Sequence, residues 1–290
     1  MFNEGIPFSS PRSSCLPFGP MMVVIPAGSF LMGTKPEELD ELFILMENEK
    51  KGMPYEQRLR EAPQFRIYLP AYEIGRSPIT NEEYAMFISD TNHEPPLHWN
   101  GQEPPKELIA HPVVNVSWLD AVAYCTWLSQ RTDKSYRLPT EAEWEKAARG
   151  FNGRRYPWGK KWDAALCNNV ETGSKTTTPV GQFSPDGDSP FGCADMIGNV
   201  WEWCSSRYGG TEVTPTFMYP YDAKDGREDM DIDDTRILRG GSFFNGRGRA
   251  RCEYRGRGTI THRNDHTGFR CAKDISLPPA FDYYPTLGTP

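Results

Sequence analysis

Between residues 151 and 275 the chain contains no long run with helical periodicity, although capped helical patterns precede it. Short apolar pieces there alternate with Gly, Pro, Asn and Asp. This break constrains the fold more than any other feature. A helical bundle needs apolar stripes throughout, and a doubly wound α/β fold needs a helix after nearly every strand. Both are excluded. Pro and Gly number 26 each, well above average usage of about 12% together. They are spread along the chain, so turns and irregular loops fit better than disorder. With 290 residues, 38% of them hydrophobic, the chain can bury a sizeable core as one large domain or two small ones.

Before residue 150 the elements are legible. Met22–Ile25 and Gly28–Met32 read as short strands joined by "PAG", and residues 35–61 as a helix followed by a charged loop or second helix. Phe65–Leu69 and Ala71–Ile74 read as strands. Thr80 with Glu83, and Thr140 with Glu143, are capping boxes that start helices; Ser117 caps a third, with Asp120 at its third position. Gly150 stops the last. Short strands are expected at Val113–Val116, Ile237–Leu238, Ser242–Phe244 and Gly268–Cys271. Residues 1–20 form an irregular lead-in and 276–290 a Pro-rich, aromatic tail.

The net charge is 32 − 39 = −7, which argues against general nucleic-acid binding. No membrane-spanning run and no signal peptide is visible. The expectation is therefore a cytoplasmic protein, or an extracytoplasmic one if the chain is processed. The seven cysteines show no CxxC, so a tetrahedral zinc site is disfavoured by spacing.

Nine landmarks occur in order: "MVVIPAGSFLMGT" (22–34), "PITNEEYAMF" (78–87), "PVVNVSWLDAVAYCTWL" (112–128), "YRLPTEAEWEKAARG" (136–150), "YPWG" (156–159), "TTPVGQF" (177–183), "FGCADMIGNVWEWC" (191–204), "RILRGGSFF" (236–244) and "GFRCA" (268–272). Together they resemble the formylglycine-generating-enzyme, or sulfatase-modifying-factor, domain, over roughly residues 21–275. The resemblance implies an α+β, C-type-lectin-like fold with little regular secondary structure, and structural calcium. It also implies a copper centre held by two thiolates a few residues after Gly240-Gly241-Ser242. Paired thiolates suit soft Cu(I). Here that stretch holds no cysteine before Cys252, so formylglycine chemistry by the family's route is not expected.

Carried over residue by residue, the calcium positions are Asp195, Gly198, Val200 and Glu202, with Asp195 and Glu202 giving carboxylates and the turn between giving carbonyls. The competing reading places Asp195 and Glu202 in an Arg-paired network. A second calcium loop would start at Asn168 and Asn169, but the stretch after them is shorter than the family's and lacks its following Asp. Cys125 and Cys271 match a family disulfide; in a cytosolic protein they would be two buried thiols in contact. Cys204 and Cys252 are a candidate second pair.

One stretch runs against the acidic average. Residues 236–257, "RILRGGSFFNGRGRARCEYRGR", carry seven arginines and one acid, Glu253. An RNA-binding patch and a phosphate loop are both weaker readings than a recognition surface, because strand motifs flank the run and no helix pattern follows Gly248. In relatives of this fold the segment 243–267 is the solvent-facing binding surface. Phe244, Asn245, Arg247, Arg249 and Arg257 are the ligand-binding candidates, for a protein or an anionic small molecule. About half the arginines belong to the scaffold, with Arg239, Arg255 and Arg270 pairing with acids such as Glu141, Glu143 or Glu202. The leading expectation is a binding or assembly module. The alternative is a metal-dependent oxidoreductase, using non-haem iron or copper on a sulfur-containing or peptide-derived substrate. Its acid–base groups or ligands would come from Glu253, Tyr254, His262 and His266. The i, i+4 spacing of the two histidines suits a metal only on a helix, which Gly258 and Gly268 disfavour there.

Overall fold

The computed structural model describes residues 19–47, 59–210 and 214–275. The start of the lead-in and the whole Pro-rich tail lie outside the described residues. Three capping boxes form as the sequence predicts. Thr80 caps α2 (Asn81–Thr91), Ser117 caps α3 (Trp118–Thr132) and Thr140 caps α4 (Glu141–Arg149), each with its reciprocal acid at the third position. The segment expected to be helical over 35–61 gives a 3₁₀ turn at Pro36–Glu38, helix α1 (Leu39–Glu47) and a second 3₁₀ turn at Leu59–Glu61. Residues 48–58 lie outside the described residues.

Strands are short and form three sheets. The first contains β1 (Met22–Ile25), β4 (Tyr72–Gly75), β10 (Ala272–Asp274) and β5 (Tyr136–Arg137), antiparallel in that order. The second is the antiparallel pair of β2 (Gly28–Met32) and β3 (Phe65–Leu69). The third runs β8 (Gly256–Gly258), β7 (Arg236–Arg239), β6 (Trp201–Arg207) and β9 (Thr267–Gly268), with β6 and β9 parallel.

Three expected strands are corrected. Val113–Val116 is buried but is not a strand, because Asn115 takes a left-handed φ of 59° that breaks extended pairing. Ser242–Phe244 is a turn, closed by Asn245 Oδ1, which accepts from the Ser242 N–H and Oγ–H at 2.9 and 3.0 Å. The strand expected over Gly268–Cys271 holds only at Gly268, the end of β9, and Phe269–Cys271 cross from that sheet to β10 in another.

The third sheet positions the site. Side chains alternate at the start of β6, so Trp201 and Trp203 share one face and Glu202 the other, before the register shifts between Trp203 and Arg207. The tryptophan face packs with the aromatic cluster of α2 and α3, including Tyr84, Tyr124 and Phe269. The opposite face meets α4, where Trp144 Nε1 donates to Glu202 Oε2 at 2.8 Å. The indoles also demand glycine on β8: a Cβ on Gly256 would lie 2.9 Å from Trp201, and one on Gly258 2.5 Å from Trp203. That close approach fixes where the loops on either side of β8 emerge.

Candidate functional site

Those loops, residues 240–255 before β8 and 259–266 after it, border a cleft of about 1110 Å³. Its lining includes Phe244, Asn245, Arg247, Arg249, Tyr254, Arg257, His262 and His266. All five predicted ligand-binding residues and three of the four acid–base candidates therefore meet in one place. Among the described residues, four arginines (Arg60, Arg247, Arg249 and Arg257) line it against one carboxylate, Glu171. In a chain of net charge −7 this is a concentrated positive field.

The arginine run splits into two sets. Arg236, Arg239, Arg251 and Arg255 are buried, at 0–1% exposure. Arg255 gives its Nε and Nη2 to Glu141 at 2.9 and 3.0 Å, and Arg239 Nη2 reaches Glu145 Oε2 at 2.9 Å and Glu141 Oε2 at 3.2 Å. Arg251 pairs with Glu61 through both Nη atoms. Arg236 binds carbonyls instead, and lies 4.1 Å over the Trp118 ring. Arg270 clamps Glu202 at 2.6 and 2.7 Å. Glu143, expected as a partner of this set, pairs instead with Arg137. The remaining members of the run (Arg247, Arg249 and Arg257) are exposed or half-buried in the cleft.

The acid–base candidates separate. Glu253 does not face the cleft. It is 2% exposed, lies 3.6 Å from Arg251 and 3.9 Å from Arg155, and its burial raises the carboxyl pKa against the pull of Arg149 and Arg251. Tyr254 forms part of the floor, 5.6 Å from the Trp201 ring and under the guanidiniums of Arg60 (4.6 Å) and Arg251 (5.2 Å). His262 and His266 lie on a non-helical loop. His262 Nε2 lies 2.9 Å from the Asn264 amide, and His266 Nδ1 lies 2.8 Å from Asp265 Oδ1. The His266 ring stands edge-on to Phe244, at 5.2 Å and 87°. Among the described residues no three His, Cys, Asp or Glu side chains converge as metal ligands.

The calcium positions have a different arrangement from the one the resemblance implies. Both Glu202 oxygens are taken by Arg270, and one also by Trp144. Asp195 accepts from the Gly181 N–H at 2.6 Å, and burial raises its pKa to about 6. The Gly198 turn packs against Asn168, whose carbonyl would lie 2.2 Å from a Cβ there. Asn168 and Asn169 spend their amides on carbonyls of Thr176, Ala164 and Cys167. As arranged, Glu202 is paired with a guanidinium, as the Arg-paired reading expects of it, whereas the Asp195 carboxylate takes a backbone N–H and no arginine.

The six described cysteines are all buried, and none lines the cleft. Burial pushes the Cys167 and Cys193 thiols up to about 12 and about 11, and raises those of Cys204, Cys252 and Cys271 well above the usual thiol range. The Cys125 and Cys271 sulfurs lie 3.7 Å apart, a contact of two thiols. Cys204 and Cys252 lie in one cluster without such a contact.

Sequence reasoning missed Arg60, Trp201 and Glu171 in the cleft. Arg60 carries no motif signal, since it falls in a stretch that reads as a charged loop or second helix. Trp201 was within reach: period-two alternation in "VWEW" puts it opposite Glu202.

Short strands in small sheets, few helices and a polar cleft walled by loops after β7 and β8 define a lectin-like α+β domain whose cleft is built from loops. The chain belongs to the sulfatase-modifying factor enzyme 1-like domain family, whose model matches residues 7–275. It is 30% identical to the formylglycine-generating enzyme of Thermomonospora curvata, over 92% of this chain and 98% of that protein. It is 36% identical to the inactive C-alpha-formylglycine-generating enzyme 2 of Bos taurus, over 60% of this chain and 54% of that protein. The solved structure of PvdO from Pseudomonas aeruginosa superposes with a TM-score of 0.66 at 25% identity, covering 90% of this chain and 96% of that one. No helix among the described residues is long and apolar enough to cross a membrane.

Proposed function

We propose that this chain is a binding member of its family that holds an anionic ligand in the cleft. The observation that carries the reading is the charge of the lining, four arginines against one carboxylate, in a chain that is otherwise acidic. The cleft walls are also apolar and aromatic at Trp201, Leu238 and Phe244, which suits a ligand with a flat or greasy body and a charged end. A cavity of about 1110 Å³ favours a small molecule, or one side chain of a protein partner, over a flat protein surface. The cleft offers no described thiol, so the paired-thiolate copper chemistry of formylglycine generation has no residues here to hold it. The resemblance to a relative named as inactive accords with a family fold used without that chemistry.

The test is calorimetric titration with citrate and with a short poly-glutamate peptide, at low and at high salt. At least one is expected to bind, more weakly at high salt. Binding should weaken by about tenfold in an Arg247→Gln, Arg249→Gln double variant, as for loss of charge-assisted hydrogen bonds. Binding that ignores both the salt and the substitutions would sink the reading.

A further inference from the structure

Arg60 differs from the other buried arginines. It is 4% exposed and lines the cleft, yet among the described residues its Nε and Nη2 both lack a hydrogen-bond partner. Arg236 and Arg239 each leave only Nε unpartnered, and spend their other nitrogens on carbonyls or carboxylates. Glu61, the adjacent acid, does not serve Arg60. Its oxygens pair with Arg251, and it stands 4.0 Å from Arg60 Nε. Tyr208 hydrogen-bonds the guanidinium, but the buried Nε–Nη2 edge loses water without regaining a partner, a state that costs free energy unless a ligand supplies the acceptors.

The molecule shows what this edge takes. Arg255 and Arg270 each present the same two atoms, Nε and Nη2, to the two oxygens of one carboxylate. The fork of two parallel N–H groups matches a planar two-oxygen acceptor. Beside Arg60 the floor is aromatic, with Tyr254 under its guanidinium and Trp201 next to Tyr254. Arg249, whose buried Nε also lacks a partner, lines the same cleft.

We infer that Arg60 is the carboxylate anchor of the cleft, and that the ligand class is a carboxylic acid carrying a flat ring system. The inference rests on the cleft being an anion site. The carboxylate lies along the Nε–Nη2 edge of Arg60, as Glu141 lies along that of Arg255. The ring body packs on Trp201 and Tyr254, and Arg249 contributes a second positive charge. A phosphate monoester presents three oxygens in a pyramid and matches the two-nitrogen edge less well.

The experiment titrates the full chain with 2-naphthoate, 2-naphthamide and 2-naphthyl phosphate, following heat and naphthyl fluorescence. Variants are Arg60→Lys, Arg60→Gln and Arg249→Gln, each first checked for a wild-type melting transition. Arg60→Lys keeps the charge but removes the fork, so it reports geometry even if Arg60→Gln folds poorly. The expected result is that naphthoate binds, naphthamide does not, and Arg60→Lys weakens naphthoate by about tenfold or more. Arg249→Gln should weaken it less. Naphthoate binding unchanged in Arg60→Lys but lost in Arg249→Gln would overturn the anchor and leave the anion cleft standing. Preference for the phosphate would overturn the ligand class. If no probe binds, or if no cleft substitution affects binding, the anion-cleft reading fails together with the anchor.

Discussion

Arg255 and Arg60 touch, with Arg255 Nη1 donating to the Arg60 carbonyl at 2.9 Å, yet they belong to opposite regimes. Arg255 sits behind β7 in a cluster with Glu141, Glu145 and Arg239, all at 0% exposure. Arg60 sits in the cleft wall with one edge unsatisfied. Burial is nearly the same in the two regions. What differs is whether the chain itself supplies a carboxylate. At Arg255 it does, and the arginine is scaffold; at Arg60 it does not, and the unsatisfied edge is the one we propose for a ligand.

The largest effect should come from breaking the scaffold side. Arg270→Met leaves Glu202 buried with little beyond the Trp144 N–H, and is expected to cost about 3–5 kcal/mol by urea unfolding, as for a buried charge stripped of its partner. The Arg270→Met, Glu202→Leu double variant should regain most of that loss. A cost no greater than that of a surface substitution would erase the distinction between the two regions.

An intermediate case sharpens it. Asp120 is buried, which alone would raise its pKa. Hydrogen bonds from Arg263, Ser117 and His93 outweigh this and bring it down to about 2. A depressed folded pKa contributes stability that is fully present above the unfolded value near 4 and is lost as pH falls towards 2. The size is about 2 kcal/mol. Asp120→Asn should lose that stability at neutral pH, and its unfolding free energy should change less than the wild type's between pH 4 and 2.

The smallest effect on stability should come from the cleft. Arg249→Gln is expected to shift unfolding by less than about 0.5 kcal/mol, within the range of surface changes. It should nonetheless weaken binding of 2-naphthoate. A larger loss of stability than in Asp120→Asn would place Arg249 with the scaffold.

How far the sequence reaches follows the same division. Helix starts were legible because a capping box is local, three residues end to end, as at Thr80 and Glu83. The arginine run was legible as a mixture of scaffold and surface, and residues 243–267 as a solvent-facing segment, because the motifs "RILRGGSFF" and "GFRCA" bracket it. Which acid pairs with which arginine was only half legible. That Arg239, Arg255 and Arg270 pair with acids such as Glu141 or Glu202 followed from the family motifs, though not which with which, whereas Arg251 with Glu61 spans 190 positions and has no local signature. Arg60 was invisible for the same reason: its importance lies in a partner that is missing, and only the three-dimensional neighbourhood reveals an absence. The non-strand at Val113–Val116 was lost to a single residue, because apolar pattern reports burial and Asn115 decides backbone direction.

The strand order of the first sheet has a consequence for synthesis. β10, the last strand among the described residues, lies between β4 and β5. As the chain leaves the ribosome, β4 lacks one neighbour and β5 has none until residue 274 has emerged. Arg270 reaches back across 195 positions to the Gly75 carbonyl, and Lys273 across 200 to Glu73. At about 5–20 residues per second, those exposed edges wait for roughly ten seconds or more. During that interval they are open to pairing with other chains, so the nascent protein is most vulnerable to aggregation just before its final strand arrives.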